Sequence, residues 1–387
     1  MPSHLPCALP ARRFAPAHRT TRALLKSSVP FACMLLTAAA QAQATAPPLG
    51  APPANVPQDP TLPGPSAMGT EQELRLANAC LTGKGVAKDP ATAAIWFRKA
   101  ADAGDPTAQN NLGYLYLTGM GVARDEAEAA RWFARALAGG SEEGKFNLAL
   151  LCLKGPDSVR NISMALDLLN QLARKENARA EDSLGVIYLT GEGVPRDPVT
   201  AETWFTRSAK HGDAHSQYAL GILNSIESGH EHNLSKAADY LRRAAHGGYV
   251  RAMYILGLLL VKNSDLSPKY PNEGVEMLTD AADAGEWEAS AILGMLARDG
   301  RGMPQDPATA FRWFLIEAKQ GGAAAEQKAR QDIANCRKAL TPEQQDRELR
   351  SADQWLAQHR DSSVYVFRNG LTVAEDAVFL ARPSGME

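Results

Sequence analysis

One dipeptide recurs along the chain and decides what it can fold into. Trp96-Phe97, Trp132-Phe133 and Trp204-Phe205 lie on a period of 36 residues, and Trp313-Phe314 ends the series. The intervening positions hold Leu168-Leu169, Tyr240-Leu241 and Met277-Leu278, so the site is bulky and apolar in every copy. A second landmark keeps the same register: Leu112-Gly113, Leu148-Ala149, Leu184-Gly185, Leu220-Gly221, Leu256-Gly257 and Leu293-Gly294, with Leu76-Ala77 opening the row. A third, G-x-G, stands at Gly83-Gly85, Gly119-Gly121, Gly191-Gly193 and Gly300-Gly302. Three landmarks in register divide residues 71–323 into seven units: 71–106, 107–142, 143–178, 179–214, 215–250, 251–287 and 288–323. A period in the mid-thirties is the mark of a helical solenoid, in which each unit buries its apolar face on the next.

Each unit reads as two helices. In the second, helix A runs from about Thr107 to Thr118, with Ala108, Leu112 and Leu115 as its apolar stripe and Gly113 for close approach. Gly119 and Gly121 stop it. Helix B opens on an Asx cap at Asp89, Asp125, Asn161, Asp197, Asn233 and Asp306, with proline next at Pro90, Pro198 and Pro307. It stops at Gly104, Gly140, Gly212, Gly248, Gly285 and Gly321. The aromatic dipeptide is a packing knob at helical spacing. The expected fold class is all-α, an α/α superhelical solenoid of about seven 36-residue helix-turn-helix repeats with a helical cap.

The pattern A-x-x-x-L-G-x-x-Y…G-x-G-V-x-x-D-x-x-x-A-x-x-W-F-x-x-A-A-x-x-G, nearly complete at 108–140 and 180–212, resembles the Sel1-like repeat family, which is similar to tetratricopeptide repeats. The resemblance implies a superhelical scaffold for protein partners, often exported or membrane-associated in bacteria. Units 3, 5 and 6 depart from it in the A-to-B loop, at Gly155-Pro156-Asp157, Glu227 to His230 and Asn263 to Leu266.

Residues 1–44 carry five basic and no acidic side chains, and Val29 to Ala40 is a short apolar core. Ala40-Gln41-Ala42 and Ala42-Gln43-Ala44 supply small residues for cleavage after Ala42 or Ala44. This is the form of a signal peptide, so a periplasmic or secreted location is expected. An Arg-rich transit peptide is the alternative, and would make the chain a mitochondrial assembly factor. Residues 45–70 are Pro/Ala-rich and read as a disordered linker. Residues 324–361 read as two capping helices, the second opened by the capping box Thr341-Pro342-Glu343-Gln344. In the tail, 362–387, Asn369-Gly370 sits between apolar runs and signals a short hairpin or a mobile end.

Without the first 44 residues the chain has 36 basic and 43 acidic groups. That balance argues against a nucleic-acid partner, which needs a basic face. No apolar run is long enough for a transmembrane segment. Cys80, Cys152 and Cys336 read as buried thiols, too far apart for a disulfide framework. His211, His215 and His246 fall near B-to-A turns, and His230 and His232 at the other end of the helices, so the five cannot share one ion. Gly139 to Lys145 imitates a phosphate loop, but Phe146 stands where Ser or Thr is required. No catalytic residues, metal ligands or cofactor are assigned.

The variable positions of helix A carry the functional expectation. Two of them, four residues apart, share a face. Tyr114, Phe146, Leu150, Tyr218, Ile222, Tyr254 and Leu258 would form an apolar and aromatic stripe in a concave groove, with Asn111 and Asn147 beside it to pair with an extended backbone. The competing reading packs these residues on the preceding helix B. The expected function is a non-catalytic interaction scaffold of the bacterial cell envelope, holding a peptide or helix of another protein in that groove, with an assembly or regulatory role. A cell-wall or β-lactam-directed hydrolase is the alternative from another class.

Overall fold

The computed structural model describes residues 69–225 and 233–359. The expected signal peptide, the expected linker up to residue 68, the segment with His230 and His232 and the expected C-terminal hairpin lie outside the described residues.

The described residues are all-helical. The units are the pairs α1 (Thr70–Thr82) and α2 (Pro90–Asp102), α3 (Pro106–Thr118) and α4 (Glu126–Ala138), α5 (Glu142–Lys154) and α6 (Ile162–Ala173), and α7 (Ala178–Thr190) and α8 (Pro198–Lys210). Then follow α9 (Ala214–Ser225) and α10 (Leu234–His246), α11 (Val250–Lys262) and α12 (Glu273–Asp283), and α13 (Trp287–Asp299) and α14 (Pro307–Gln320). Two longer helices end the array, α15 (Gly322–Lys338) and α16 (Pro342–Gln358). Unit 6, whose loop departs from the pattern, keeps both helices and bridges them with a short 3-10 turn, Ser264–Leu266.

Local chemistry sets the helix ends. The side chains of Asp89, Asp125, Asn161, Asp197, Asn233 and Asp306 each accept a backbone N–H in the first turn of helix B. Thr341 and Gln344 form a reciprocal capping box at the start of α16. Gly121 has φ 73, and a Cβ there would stand 2.1 Å from the Pro90 carbonyl oxygen. The loop of one unit thus lies on the start of helix B in the unit before, and only glycine lets it approach. In the last unit the positive φ falls on Gly322 rather than on Gly321, because α14 runs to 14 residues.

The landmarks explain one another. A Cβ on Gly113 would lie 2.8 Å from the Phe133 ring, on Gly185 2.6 Å from Phe205, and on Gly294 2.7 Å from Phe314. The glycine of helix A is therefore the socket for the aromatic ring of helix B in its own unit. Phe133 and Phe205 are 0% exposed. The core is built from these rings, the recurring leucines and the alanines beside them.

Helices alternate between two layers. The A helices α3 and α5, and α7 and α9, also pack on each other directly, while successive B helices within the repeats touch less. α15 continues the A layer, and α16 turns back on α14. There Trp355 meets Trp313 at 5.8 Å, Ala352 is buried, and His359 Nε2 lies 3.6 Å from Asp283 of α12, past three intervening helices. No helix among the described residues is long and apolar enough to cross a membrane.

Candidate functional site

Positions spaced three and four apart on helix A share one ridge. Its first row is Thr107, Glu143, Arg179, His215, Arg251 and Glu288, and its second is Asn110, Phe146, Asp182, Tyr218, Tyr254 and Ala291. The third is Tyr114, Leu150, Val186, Ile222, Leu258 and Met295. Of the expected groove residues, Asn111, Tyr114, Asn147, Tyr218, Ile222, Tyr254 and Leu258 are half-buried. Phe146 and Leu150 are core residues, 5% and 8% exposed. Arg179 of the next unit covers the Phe146 ring at 4.3 Å. The Asn147 amide donates to Asn110 Oδ1 at 2.8 Å.

Consecutive units are tied diagonally. The second row of one unit meets the first row of the next at Phe146 and Arg179, at Asp182 and His215, and at Tyr218 and Arg251. His215 Nδ1 and Asp182 Oδ1 are 2.7 Å apart, and Ser216 Oγ donates to the same oxygen at 2.6 Å. Asp213 caps α9 by accepting from Ser216 N at 2.7 Å. Burial, and next the Asp182 charge, push the Asp213 carboxyl up. The His215 and Tyr249 rings lie 5.9 Å apart, and those of Tyr218 and Tyr249 5.0 Å. Burial raises both tyrosine hydroxyls. Arg251 pairs with Glu286, whose carboxyl burial pushes up to about 7.

Asp182, Asp213 and His215 each offer a ligand atom within 4.8 Å of the others. Those atoms are occupied by one another, by Ser216 and by the start of α9, so the arrangement holds two units together. The sequence reading compared equal positions and missed this cluster. The signal was an acid facing a histidine 33 residues on, three short of the repeat period.

The Sel1 repeat pattern matches residues 73–105, 106–141, 143–177, 178–213, 214–249 and 287–322. The chain belongs to the Sel1 repeat family. Sel1 repeats serve protein–protein interaction, which makes the ridge of the A layer the surface of interest. Unit 6 falls outside the matched segments, yet this Sel1 chain keeps the two-helix form there. Among curated proteins nothing matches.

Two solved structures share the architecture. One is c5321 of uropathogenic Escherichia coli, a protective antigen displaying an SLR fold. It is 24% identical with a TM-score of 0.62, over 80% of this chain and 66% of that one. The other is a Sel1 repeat protein from Oxalobacter formigenes, 26% identical with a TM-score of 0.57, over 68% of this chain and 76% of that one. The chain thus spans just under two thirds of the length of the first.

Proposed function

We propose that this Sel1 repeat chain is a non-catalytic scaffold that holds an extended peptide or a helix of another protein along its A-helix face, and that it works in the bacterial cell envelope after export. The observation that carries the first part is the row of half-buried side chains Tyr114, Tyr218, Ile222, Tyr254 and Leu258 along the A helices. These are amphipathic or apolar groups held by their neighbours. Tyr218 is braced by Tyr249 and Arg251, and Tyr254 lies under the Arg251 guanidinium at 4.9 Å. Braced aromatic side chains lose little entropy on binding and make good anchors for a partner. The Asn110, Asn111 and Asn147 amides lie beside Tyr114 as adaptable polar partners. The basic, acid-free first 44 residues support export.

The test is in-cell crosslinking of the tagged full chain against a Tyr218→Ala/Ile222→Ala variant whose helicity and melting are checked. One protein captured by the parent and lost from the variant supports the scaffold. Equal capture by both moves binding away from this face. Fractionation with N-terminal sequencing of the same chain tests export, with cleavage expected after Ala42 or Ala44.

A further inference from the structure

Four residues after the first member of each dipeptide stand Ala100, Ala136, Leu172, Ser208, Ala244 and Ala281, all 0% exposed. In the last unit that position is Glu317. It is 4% exposed, and its carboxylate has no hydrogen bond or ion pair among the described residues. An acid placed where the fold elsewhere takes a small or apolar residue is costly unless something answers its charge.

Glu317 lines a cleft of about 280 Å³ between α13 and α15, walled by Tyr254, Trp287, Ile292, Met295 and Phe314. Glu288 and Asp332 add acidic groups. Asp332 is paired with Arg298 at 2.7 Å. Lys328 on the exposed rim holds its ammonium 5.6 Å from the Trp287 ring, so the indole wall already faces a cation. Burial, and then the Asp332 charge, push the Glu317 carboxyl up to about 7, with Lys328 opposing. The cleft has room for one long side chain, and combines an aromatic wall with a carboxylate that has no hydrogen bond or close ion pair among the described residues. An ammonium or guanidinium on an apolar stem satisfies both at once.

We infer that this cleft is a subsite for a single cationic side chain, a lysine or arginine of the partner peptide, with its charged head on Glu317 and its stem against Trp287 and Met295. The inference rests on the scaffold reading above and names the chemistry of one anchor of its partner.

The experiment titrates Nα-acetyl-lysine methylamide, Nα-acetyl-arginine methylamide and the neutral Nα-acetyl-norleucine methylamide into the full chain. The readout is the indole N–H resonance of Trp287, assigned with Trp287→Phe. A cationic probe shifts that resonance saturably and binds at least about tenfold tighter than norleucine, as expected for a charge-assisted contact. Glu317→Gln, nearly isosteric and without the buried charge, keeps the fold and brings the cationic probes down to the norleucine level. Cation affinity rises roughly tenfold from pH 6 to pH 8 as Glu317 ionises, and Glu317→Gln removes that rise. Glu288, Asp332 and Lys328 also face the site, and Glu286 beside Glu288 titrates in the same range, so the decisive quantity is the slope that Glu317→Gln abolishes. Equal binding of norleucine, or full affinity in folded Glu317→Gln, overturns the inference. Probe binding without a captured partner removes the scaffold and leaves the subsite standing. A captured partner without probe selectivity removes the subsite alone.

Discussion

Asp182 of α7 and His215 of α9 touch at 2.7 Å across the joint between units 4 and 5. Asp182 is 6% exposed and also receives Ser216 Oγ, so the joint is hydrogen-bonded at its core. The neighbouring joints use other chemistry at the same place, a guanidinium over Phe146 in one and an arginine hydrogen-bonded to Tyr218 in the other. The repeat fixes where units meet, and each joint is then individually furnished.

Asp213 is the strained member of the Asp182 joint. Its folded-state pKa is raised by burial and by Asp182. Its contribution to stability is therefore full below the unfolded value near 4 and is lost as pH rises through the folded value. Asp213→Asn keeps the cap, since Asn177 caps α7 in the same way. The variant is expected to be more stable than the parent at pH 8, with the gap closing toward pH 3.5. Thermal melts followed by circular dichroism across that range check this, and a variant less stable at pH 8 refutes it.

Gly185→Ala should destabilise the chain although alanine is the better helix former. The added Cβ would lie 2.6 Å from ring carbons of Phe205. Overpacking of about 1–3 kcal/mol outweighs a propensity gain of about 1 kcal/mol. Gly185→Ala/Phe205→Leu should recover part of the loss. Unit 3 already carries that combination as Ala149 and Leu169, both 0% exposed. Urea unfolding of the parent and the two variants decides it.

Glu176 holds φ 59 at a turn where other units place Gly104, Gly140, Gly212, Gly248 and Gly285, all at positive φ. The left-handed region costs a side-chain-bearing residue about 1 kcal/mol. Glu176→Gly should raise the unfolding midpoint by a corresponding amount, and a lowered midpoint would show that the Glu176 side chain contributes more than its strain.

Glu317 gives a pH-dependent stability independent of any ligand. Its folded pKa is raised from 4.5 to about 7, so its share of stability is complete below about 4.5 and lost as pH climbs past 7. The parent should fall behind Glu317→Gln by about 3 kcal/mol between pH 5 and pH 8.5. Parallel pH profiles of the two proteins would contradict the assignment.

The fold was legible because three landmarks report one packing event. Gly185 receives Phe205, Gly294 receives Phe314, and the intervening turn needs positive φ. Such demands stay in the sequence. The surface was less legible. Phe146 sits at the same helix position as Tyr218 and each meets an arginine of the next unit, Arg179 stacked on the ring in one case and Arg251 bonded to the hydroxyl in the other, yet Phe146 is buried and Tyr218 half-buried. Comparing equal positions cannot reveal a diagonal neighbour. Glu317 went unnoticed for a related reason: attention to the shared small and apolar residues at this position hid the one unit that places a charge there.

The backward turn of α16 gives the array a direction. By lying on α14 and reaching Asp283 through His359, it occupies the flank on which another B helix would stack. Further copies of the unit can therefore be inserted ahead of α11 with the contacts from α12 to α16 left in place, whereas none can be appended after α14. Among the described residues, the opening pair α1 and α2 is held from one side only, by α3. Amide hydrogens in α1 should therefore exchange first and those in α14 last, with loosening that travels from the beginning of the array toward its sealed end.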